Sequence, residues 1–444
     1  MKKILVLGAG RSSSSLIRYI LKNNEKLDCA LRVADRDLEL AKKKTNGSAN
    51  SEAVSFNALD SNERLPHLEW ADIIVSMLPA RFHIEIARDC VRLKKNLITP
   101  SYVTPEMLEL EEEAKSNGVI ILNELGLDPG IDHMSAMKII DQVKAKGGKL
   151  TRFESFTGGL IAPQSDNNPW NYKFTWNPRN VVLAGQGSAA RFLQNSKYKF
   201  VPYNKLFSRT KDIEIENYGM FEGYANRDSL TYLEAYSIED IPTIYRGTLR
   251  RKGYSEAWNV FVQLGLTEDT YKLPNTENMT YREFINSFLT YHETLSLEEK
   301  LQKTLDVSDE VMSKIKWLGL FEDDIIGNAN LSPAQVLQKK LEEKLTLEEG
   351  DIDLIVMWHK FNYELNGSTH EIISSLIVEG EDQTFTGMSN TVGLPLAIAV
   401  KLVLSGEINT PGVHLPVTPD IYEPILNELK DYGIVFNEKE NVLN

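Results

Sequence analysis

The sequence of 444 residues is poor in cysteine, in histidine and in long apolar runs. Its two cysteines, Cys29 and Cys90, are too few for a disulfide framework and lie in no metal-binding spacing. No stretch reaches the roughly 18–20 apolar residues that span a bilayer, so we expect no membrane segment. The apolar run after Lys3 is about six residues long, shorter than the roughly 7–15 of a signal peptide. We therefore expect a cytoplasmic protein that begins with a buried strand.

Basic residues are also in short supply, with 49 Lys and Arg against 63 Asp and Glu and a formal net charge of −14. This balance argues against broad nucleic-acid binding, which needs a basic face, but it leaves room for a small basic pocket. The seven histidines show no paired ligand spacing, so we expect no metal site. A content of 42% hydrophobic and 25% charged residues is typical of globular proteins, and the length supports two or three domains.

The first 125 residues alternate between apolar runs and helical patterns. The run at 3–8 (KILVLG) is typical of a parallel strand covered on both faces. A helical pattern follows, and serines before Leu16 are available to cap its start. Further strands are predicted at 29–34, 71–78, 96–99 and 119–122, with helices at 37–44 and 83–92. Strand and helix in alternation predict an α/β fold with a right-handed, doubly wound parallel sheet.

The remaining sequence has a different pattern. A loop rich in Asn, Pro and aromatic residues covers 158–180, and residues 255–350 are polar and helical in pattern. We predict strands at 152–157, 243–250 and around IVMWHKF, and helices at 394–404 and near 422–430.

The turn after the first strand indicates a nucleotide site. Residues 8–13 (GAGRSS) match G-x-G-x-x-G except at the last position, where Ser13 is small enough for close helix–strand packing. The first glycine makes the turn, and the second lets the backbone approach a pyrophosphate. The predicted cofactor contacts here are Gly8, Gly10, Arg11, Ser12 and Ser13. An ordinary strand-to-helix turn is the alternative.

The end of the second strand bears on the choice between NAD and NADP. Asp35 is placed to bond a ribose 2′-hydroxyl, which favours NAD, whereas Arg36 and Arg11 could hold the 2′-phosphate of NADP. A solvated strand end is the simpler interpretation of Asp35. Leu78 and Pro79 end another strand on the side where open α/β sheets bind ligands, although Pro79 could equally be a strand terminator.

Short motifs spread over nearly the whole chain resemble one enzyme family. They are SY at 101–102, NELGLDPGIDH at 123–133, GGL at 158–160, YKFTW at 172–176, NRDS at 226–229, RGTLR at 246–250, WLGLF at 317–321 and TVGLPLAIA at 391–399. In this order they resemble the saccharopine dehydrogenase family, and more narrowly its L-glutamate-forming type, also called saccharopine reductase. Collinear motifs are far more specific than a glycine turn alone.

The resemblance implies an architecture and a reaction. Residues 1–125 are expected to form a Rossmann domain completed by about 385–444. Residues 126–254 and about 351–384 would form a substrate-binding and dimerisation domain, and residues 255–350 a mostly helical domain. The implied reaction is oxidation of saccharopine, with NAD or NADP and water, to L-glutamate and 2-aminoadipate 6-semialdehyde in lysine metabolism. A homodimer is also implied.

The family pattern carries roles onto individual residues. Substrate binding falls on Ser101, Tyr102, Asp128, Arg227, Thr248, Leu249 and Arg250. Arginine forks pair with the three substrate carboxylates, and Asp128 suits an amine or ammonium. Asp128 and Tyr102 are the best candidates for proton transfer. Further cofactor contacts are expected from the loop that follows a sheet strand, at Gly126, Leu127, Asp128, Pro129, Gly130 and His133.

Each assignment has a simpler alternative. Arg227 could pair only with Asp228, and Arg250 belongs to a basic run that is partly a solvated face. Asp128 stands before Pro-Gly, which is the usual composition of a turn. Lys173 and Arg179, in the aromatic loop, are second-tier candidates for substrate binding.

One departure from the family pattern keeps other functions open. Relatives have Cys-Gly-Gly-Leu where this chain has Thr157-Gly158-Gly159-Leu160, so a thiol-dependent proton relay is not available. Another imine-reducing enzyme, such as a carboxynorspermidine-type reductase, is one alternative. A cofactor-binding protein without catalysis is another.

Overall fold

The chain forms a mixed α/β fold with two sheets, which confirms the predicted fold class. A computed structural model describes residues 1–226 and 228–443. The strands in the described residues are β1 Lys2–Leu7, β2 Cys29–Asp35, β3 Ser51–Ser55, β4 Ile73–Ser76, β5 Asn96–Ile98, β6 Ile120–Leu122, β7 Lys149–Ile161, β8 Ala190–Gln194, β9 Lys197–Val201, β10 Thr210–Ile215, β11 Gly219–Ala225, β12 Thr243–Arg251, β13 Asp353–Leu365, β14 Ser368–Glu379, β15 Gly412–His414 and β16 Asn437–Leu443.

Helices cover both faces of the first sheet and form most of the segment between β12 and β13. They are α1 Ser14–Lys22, α2 Asn24–Leu27, α3 Leu38–Thr45, α4 Ser61–Trp70, α5 His83–Leu93, α6 Pro105–Leu108, α7 Glu111–Asn117, α8 Ile131–Ala145, α9 Pro178–Val182, α10 Tyr232–Ala235, α11 Tyr254–Leu264, α12 Tyr281–Asn286, α13 Leu297–Leu305, α14 Asp309–Trp317, α15 Pro333–Leu345, α16 Gly387–Ser405 and α17 Pro419–Leu429.

The first sheet is parallel and has the strand order β15-β6-β5-β4-β1-β2-β3. Residues 4–7 of β1 are fully buried, as expected for a central strand covered on both faces. The order reverses between β1 and β4, so the crevice for a ligand lies at the carboxyl ends of those strands. The predicted doubly wound sheet is therefore present.

The second sheet is built around two parallel strands, β7 and β12, with antiparallel strands on either side. Its main path is β10-β11-β12-β7-β13-β14-β16, and β8 and β9 form a hairpin beside β12. Side chains alternate across each strand, so Arg246, Thr248 and Arg250 lie on one face of β12. We call these three residues the β12 stripe.

Residues 387–414 return to the first sheet. Helix α16 packs against α1, and β15 adds an edge strand to β6. Gly393 allows this packing, because a Cβ at that position would lie 2.7 Å from the backbone nitrogen of Leu16. By length and composition alone, α16 could cross a membrane, but 78% of its apolar window is buried inside the protein.

Candidate active site

The turn after β1 and the end of β2 are joined by a carboxylate. The Ala9 backbone N–H donates to Asp35 Oδ2 at 2.7 Å, and the Asp37 N–H donates to Asp35 Oδ1 at 3.0 Å. Gly8 has φ +103°, and a Cβ there would lie 3.2 Å from the Met77 carbonyl oxygen, so glycine is required at this turn. No atom lies within 4 Å of the position of a Cβ at Gly10. The backbone of this turn is therefore open to a pyrophosphate.

The serines after the turn do not cap α1 as the sequence led us to expect. Ser13 is buried and donates from Oγ to the Gly10 carbonyl at 2.8 Å, and no side-chain cap bond forms. Ser15 instead joins α1 to α16 through Asn390 Oδ1, at 2.6 Å. The exposed members of the predicted cofactor set are Gly10, Arg11, Arg36 and Pro79, and Gly8, Ser12, Asp35 and Leu78 are half-buried.

A buried histidine connects the ends of two further strands. The His83 ring lies 2.9 Å from Ser76 Oγ through Nδ1, and its Nε2 lies 2.8 Å from Ser101 Oγ and 3.0 Å from Thr99 Oγ1. Burial lowers the pKa of His83 from 6.5 to about 4, so the ring is neutral at pH 7. This neutral ring holds the hydroxyl of Ser101, a predicted substrate contact. Nothing in the sequence motifs identifies His83 as part of the site.

We expect His83→Gln to remove an acid-sensitive part of the stability. In the folded chain His83 takes up a proton only near pH 4, whereas a histidine in the unfolded chain takes one up near pH 6.5. The unfolding free energy that the neutral ring contributes above pH 6.5 is therefore lost as the pH falls toward 4. Between pH 7 and pH 4 the unmodified chain should lose about 3 kcal/mol more unfolding free energy than the variant. Urea denaturation at both pH values measures this difference. His292→Gln, at an exposed histidine, is the control. Equal losses in the unmodified chain and the His83 variant would contradict the expectation.

Asp128 lies at the edge of a buried charge cluster between the two sheets. The Tyr102 hydroxyl donates to Asp128 Oδ1 at 3.2 Å, and Arg246 Nη2 donates to the same oxygen at 2.9 Å. The same Arg246 nitrogen also bonds Asp132. The Arg246 guanidinium lies 4.0 Å from the ring centre of Tyr232. The cluster therefore fixes one carboxylate oxygen of Asp128, and the half-buried side chain borders the cleft.

The two aspartates of this cluster differ in proton affinity. Burial, and next the charge of Asp132, raise the pKa of Asp128, although Arg246 opposes the increase. Burial also acts to raise the pKa of Asp132, but the charges of His133 and Arg246 outweigh it and hold that pKa low. Burial raises the pKa of Tyr102 well above 10. Asp128 is thus the carboxyl of the pair that holds a proton more readily, which suits a group that exchanges protons with a ligand.

The loop between β6 and α8 places its other predicted residues behind the cleft. His133 is fully buried, with Nε2 2.8 Å from Glu124 Oε2 and Nδ1 2.5 Å from the Tyr236 hydroxyl oxygen. Gly126, Leu127, Pro129 and Gly130 are buried as well, so of the predicted loop contacts only Asp128 borders the cleft.

Arg250 is a buried cation at the other end of the β12 stripe. Its side chain is 4% exposed, and Nη1 donates to the Leu249 carbonyl at 2.8 Å. Its guanidinium lies 5.1 Å from the ring centre of Tyr172 and 5.3 Å from that of Tyr254. Within the described ranges no carboxylate forms an ion pair with it, and Nε has no hydrogen-bond partner. A buried arginine without a counter-ion is suited to an anionic ligand.

The β12 stripe connects the two clusters. Arg246 and Arg250 are four residues apart on one strand, so their Cα atoms are about 13 Å apart. Thr248 lies between them, half-buried, and pairs across the sheet with Thr157, whose hydroxyl has no partner in the described chain. The Leu249 side chain points to the opposite face and is fully buried. Arg227, predicted to bind substrate, lies outside the described residues, and Asp228 pairs with Arg191.

Comparisons with known proteins agree with this arrangement. A family model described as saccharopine dehydrogenase NADP binding domain matches residues 4–122, and one described as saccharopine dehydrogenase C-terminal domain matches residues 126–434. The chain belongs to the saccharopine dehydrogenase family. It is accordingly a nicotinamide-dependent oxidoreductase.

Relatives in the saccharopine dehydrogenase family match the whole chain. The saccharopine dehydrogenase (NADP(+), L-glutamate-forming) of Saccharomyces cerevisiae is 36% identical over 99% of this chain and 99% of its own length. The mitochondrial alpha-aminoadipic semialdehyde synthase of Rattus norvegicus is 35% identical over 99% of this chain but only 48% of its own length. A solved structure of apo histidine-tagged saccharopine dehydrogenase (L-Glu forming) from S. cerevisiae is 34% identical and covers 99% of this chain and 100% of its own, with a TM-score of 0.89.

The second-tier cations of this saccharopine dehydrogenase family member are already paired. Lys173 is buried and bonds Asp351 at 2.6 Å and Glu348 at 3.2 Å, and Arg179 pairs with Asp269. Among residues 1–226 and 228–443, no group of three or more His, Cys, Asp or Glu side chains could hold a metal ion. Arg250 thus differs from Lys173 and Arg179 in having no carboxylate ion-pair partner among the described residues.

Proposed function

We propose that the chain oxidises saccharopine, with a nicotinamide dinucleotide and water, to L-glutamate and 2-aminoadipate 6-semialdehyde. The observation that carries the proposal is the buried Arg250, which has no ion-pair partner among the described residues and lies on the same face of β12 as Arg246, a donor to Asp128. The names of the relatives that match over their full length give the same activity.

The cleft suits a long tricarboxylate. Saccharopine has a secondary amine in its middle and carboxylates near both ends. With one carboxylate on Arg250, an extended substrate follows the β12 stripe for about 13 Å and brings its amine toward Asp128 and Tyr102. The hydroxyls of Ser101 and Thr248 would be further donors to the substrate.

The chain's own residues would hold the substrate and move protons. A nicotinamide bound there would supply the acceptor for a hydride from the carbon next to the secondary amine, and the amine would give up its proton. In the proposal Asp128 takes that proton and Tyr102 orients the nitrogen. Water then adds to the imine carbon, and the resulting carbinolamine breaks its C–N bond to leave the aldehyde and glutamate. Thr157 has no titrating group near pH 7, so it takes no part in these proton steps.

We further propose that the enzyme works as a homodimer in a reducing cytoplasm. The family resemblance suggests the dimer, and both cysteines are buried free thiols, as a reducing compartment permits. Light scattering coupled to size exclusion should give a mass near twice the 50.3 kDa of one chain. A single-chain mass at micromolar concentration would remove the dimer from the proposal.

The activity is tested with purified full-length protein. With saccharopine and either dinucleotide, absorbance at 340 nm should rise, and glutamate should form in equal amounts. The reverse reaction, from glutamate and the semialdehyde, should consume reduced cofactor. If the protein turned over a carboxynorspermidine-type imine but not saccharopine, the proposed substrate would be wrong and the imine would take its place. Cofactor binding without turnover of any imine would point to a silent cofactor-binding protein.

A further inference from the structure

The end of β2 carries two aspartates whose carboxylates already occupy nearby backbone amides. Asp35 accepts from the N–H of Ala9 and of Asp37. Asp37 is the N-cap of α3, and its Oδ1 accepts from Glu39 N at 3.0 Å and from Leu40 N at 3.2 Å. Amides at a strand–turn–helix junction are the groups that would otherwise bind a phosphate. Here the four amides named above are filled by the protein's own anions, whereas the backbone at Gly10 stays open.

A ribose hydroxyl still fits beside Asp35. Each oxygen of its carboxylate accepts one N–H, and a carboxylate oxygen can accept two hydrogen bonds. The half-buried side chain can therefore accept a hydrogen bond from a 2′-hydroxyl, which is the interaction an acidic residue makes at this position in NAD sites.

A 2′-phosphate does not fit in the same way. It carries a charge of about −1.5 to −2 near pH 7 and would lie beside two carboxylates. Of the two arginines predicted to hold this phosphate, Arg11 is exposed in the glycine turn, and Arg36 is exposed and donates from Nη2 to Asn57 Oδ1 at 2.7 Å. Residues 35–37 thus bring two negative charges and one positive charge to the position where NADP has its extra phosphate.

We propose that Asp35 and Asp37 make this chain select NAD over NADP, in contrast to the NADP(+) in the names of its full-length fungal relatives. The inference concerns the adenosine half of the cofactor and does not depend on the substrate. We expect the dissociation constant to be about 100-fold lower for NAD than for NADP, because the 2′-phosphate and the two carboxylates repel one another near the protein surface.

Direct binding tests the proposal without catalysis. The full chain is titrated with NADH and with NADPH, and the dissociation constants follow from nucleotide fluorescence and from calorimetry. NADH should bind about 100-fold tighter. ADP and adenosine 2′,5′-bisphosphate, which lack the nicotinamide, should show the same order. Equal or tighter binding of NADPH would overturn the proposal.

Matched variants assign the preference to the two carboxylates. Asp37→Ser keeps a capping oxygen for α3 but removes the charge, and Asp35→Asn keeps an acceptor for the Ala9 N–H. The double variant should reduce the NADH preference at least 10-fold, mainly by tighter NADPH binding. Asp60→Ser is the control, because Asp60 caps the next helix by accepting from Asn62 N at 2.9 Å. An unchanged preference in the double variant would exclude these residues as its cause.

The same titrations separate this inference from the proposed function. If NADH binds tighter than NADPH but saccharopine is not oxidised, the cofactor selection stands and the substrate assignment fails. If saccharopine is oxidised equally well with both cofactors at subsaturating concentrations, the substrate assignment stands and the selection fails.

Discussion

Replacing Arg246 with methionine should lower the free energy of unfolding by about 3–5 kcal/mol. The Arg246 side chain is 5% exposed and bridges Asp128 and Asp132. Its removal leaves the half-buried Asp128 without its cation and the buried Asp132 with His133 alone, and that penalty exceeds what the ion pairs contribute when intact. The cation also lies over the ring of Tyr232, so methionine loses this contact as well.

Urea denaturation at pH 7 measures the Arg246 effect. Arg251→Met is the control on the same strand, because Arg251 is only half-buried and bonds the Tyr218 carbonyl rather than a carboxylate. It should cost about 1 kcal/mol. Asp132→Asn in the Arg246→Met background should recover part of the lost unfolding free energy, since it removes one of the two carboxylates that Arg246 had bonded. Similar losses of unfolding free energy in the Arg246 and Arg251 variants would show that the unpaired carboxylates are not the main cause of the destabilisation.

Arg250→Lys should raise the KM for saccharopine about 100-fold and leave the cofactor dissociation constant unchanged. A lysine keeps the charge but loses the planar fork that bonds a carboxylate through two N–H groups. Loss of one buried charged hydrogen bond costs about 2–5 kcal/mol. The aromatic rings of Tyr172 and Tyr254 would remain, so the pocket keeps its walls.

Steady-state kinetics and cofactor titration measure the two quantities in the Arg250 prediction. Arg251→Lys, at the next position of β12 and on its opposite face, should leave the KM within about threefold. A fall in kcat with an unchanged KM would contradict a role in binding the ground-state substrate. A parallel rise in the cofactor dissociation constant would indicate that Arg250 acts on the whole cleft.

The parallel sheet could be predicted because its signals are local. The apolar run at 3–8 and the glycine turn after it identify β1 and its helix, and Asp35 marks the end of β2. By contrast, nothing in the sequence indicated β16. Its residues, Asn437–Leu443, are all exposed, so this edge strand is held by backbone pairing with β14 and has no apolar pattern.

The contacts within the site could not be predicted, because they join distant parts of the chain. Arg246 and Asp128 are 118 positions apart, and only the fold brings them together. The motif at 246–250 identified Arg250 but not Arg246. Side chains alternate along a strand, so Arg246 lies on the same face as Arg250, and this alternation could have identified it. His83 gave no such signal, since its three hydroxyl partners follow or end two other strands, Ser76 in β4 and Thr99 and Ser101 after β5.

The edge strand β15 makes the first sheet dependent on the order of synthesis. Its partner β6 ends at Leu122, and Gly412 follows about 290 residues later. At about 5–20 residues per second, a ribosome needs roughly 15–60 s to make that stretch. Throughout this interval the nascent sheet has an unpaired edge at β6, which is a template for association with other chains. A stop codon shortly before Gly412 would make that open edge permanent.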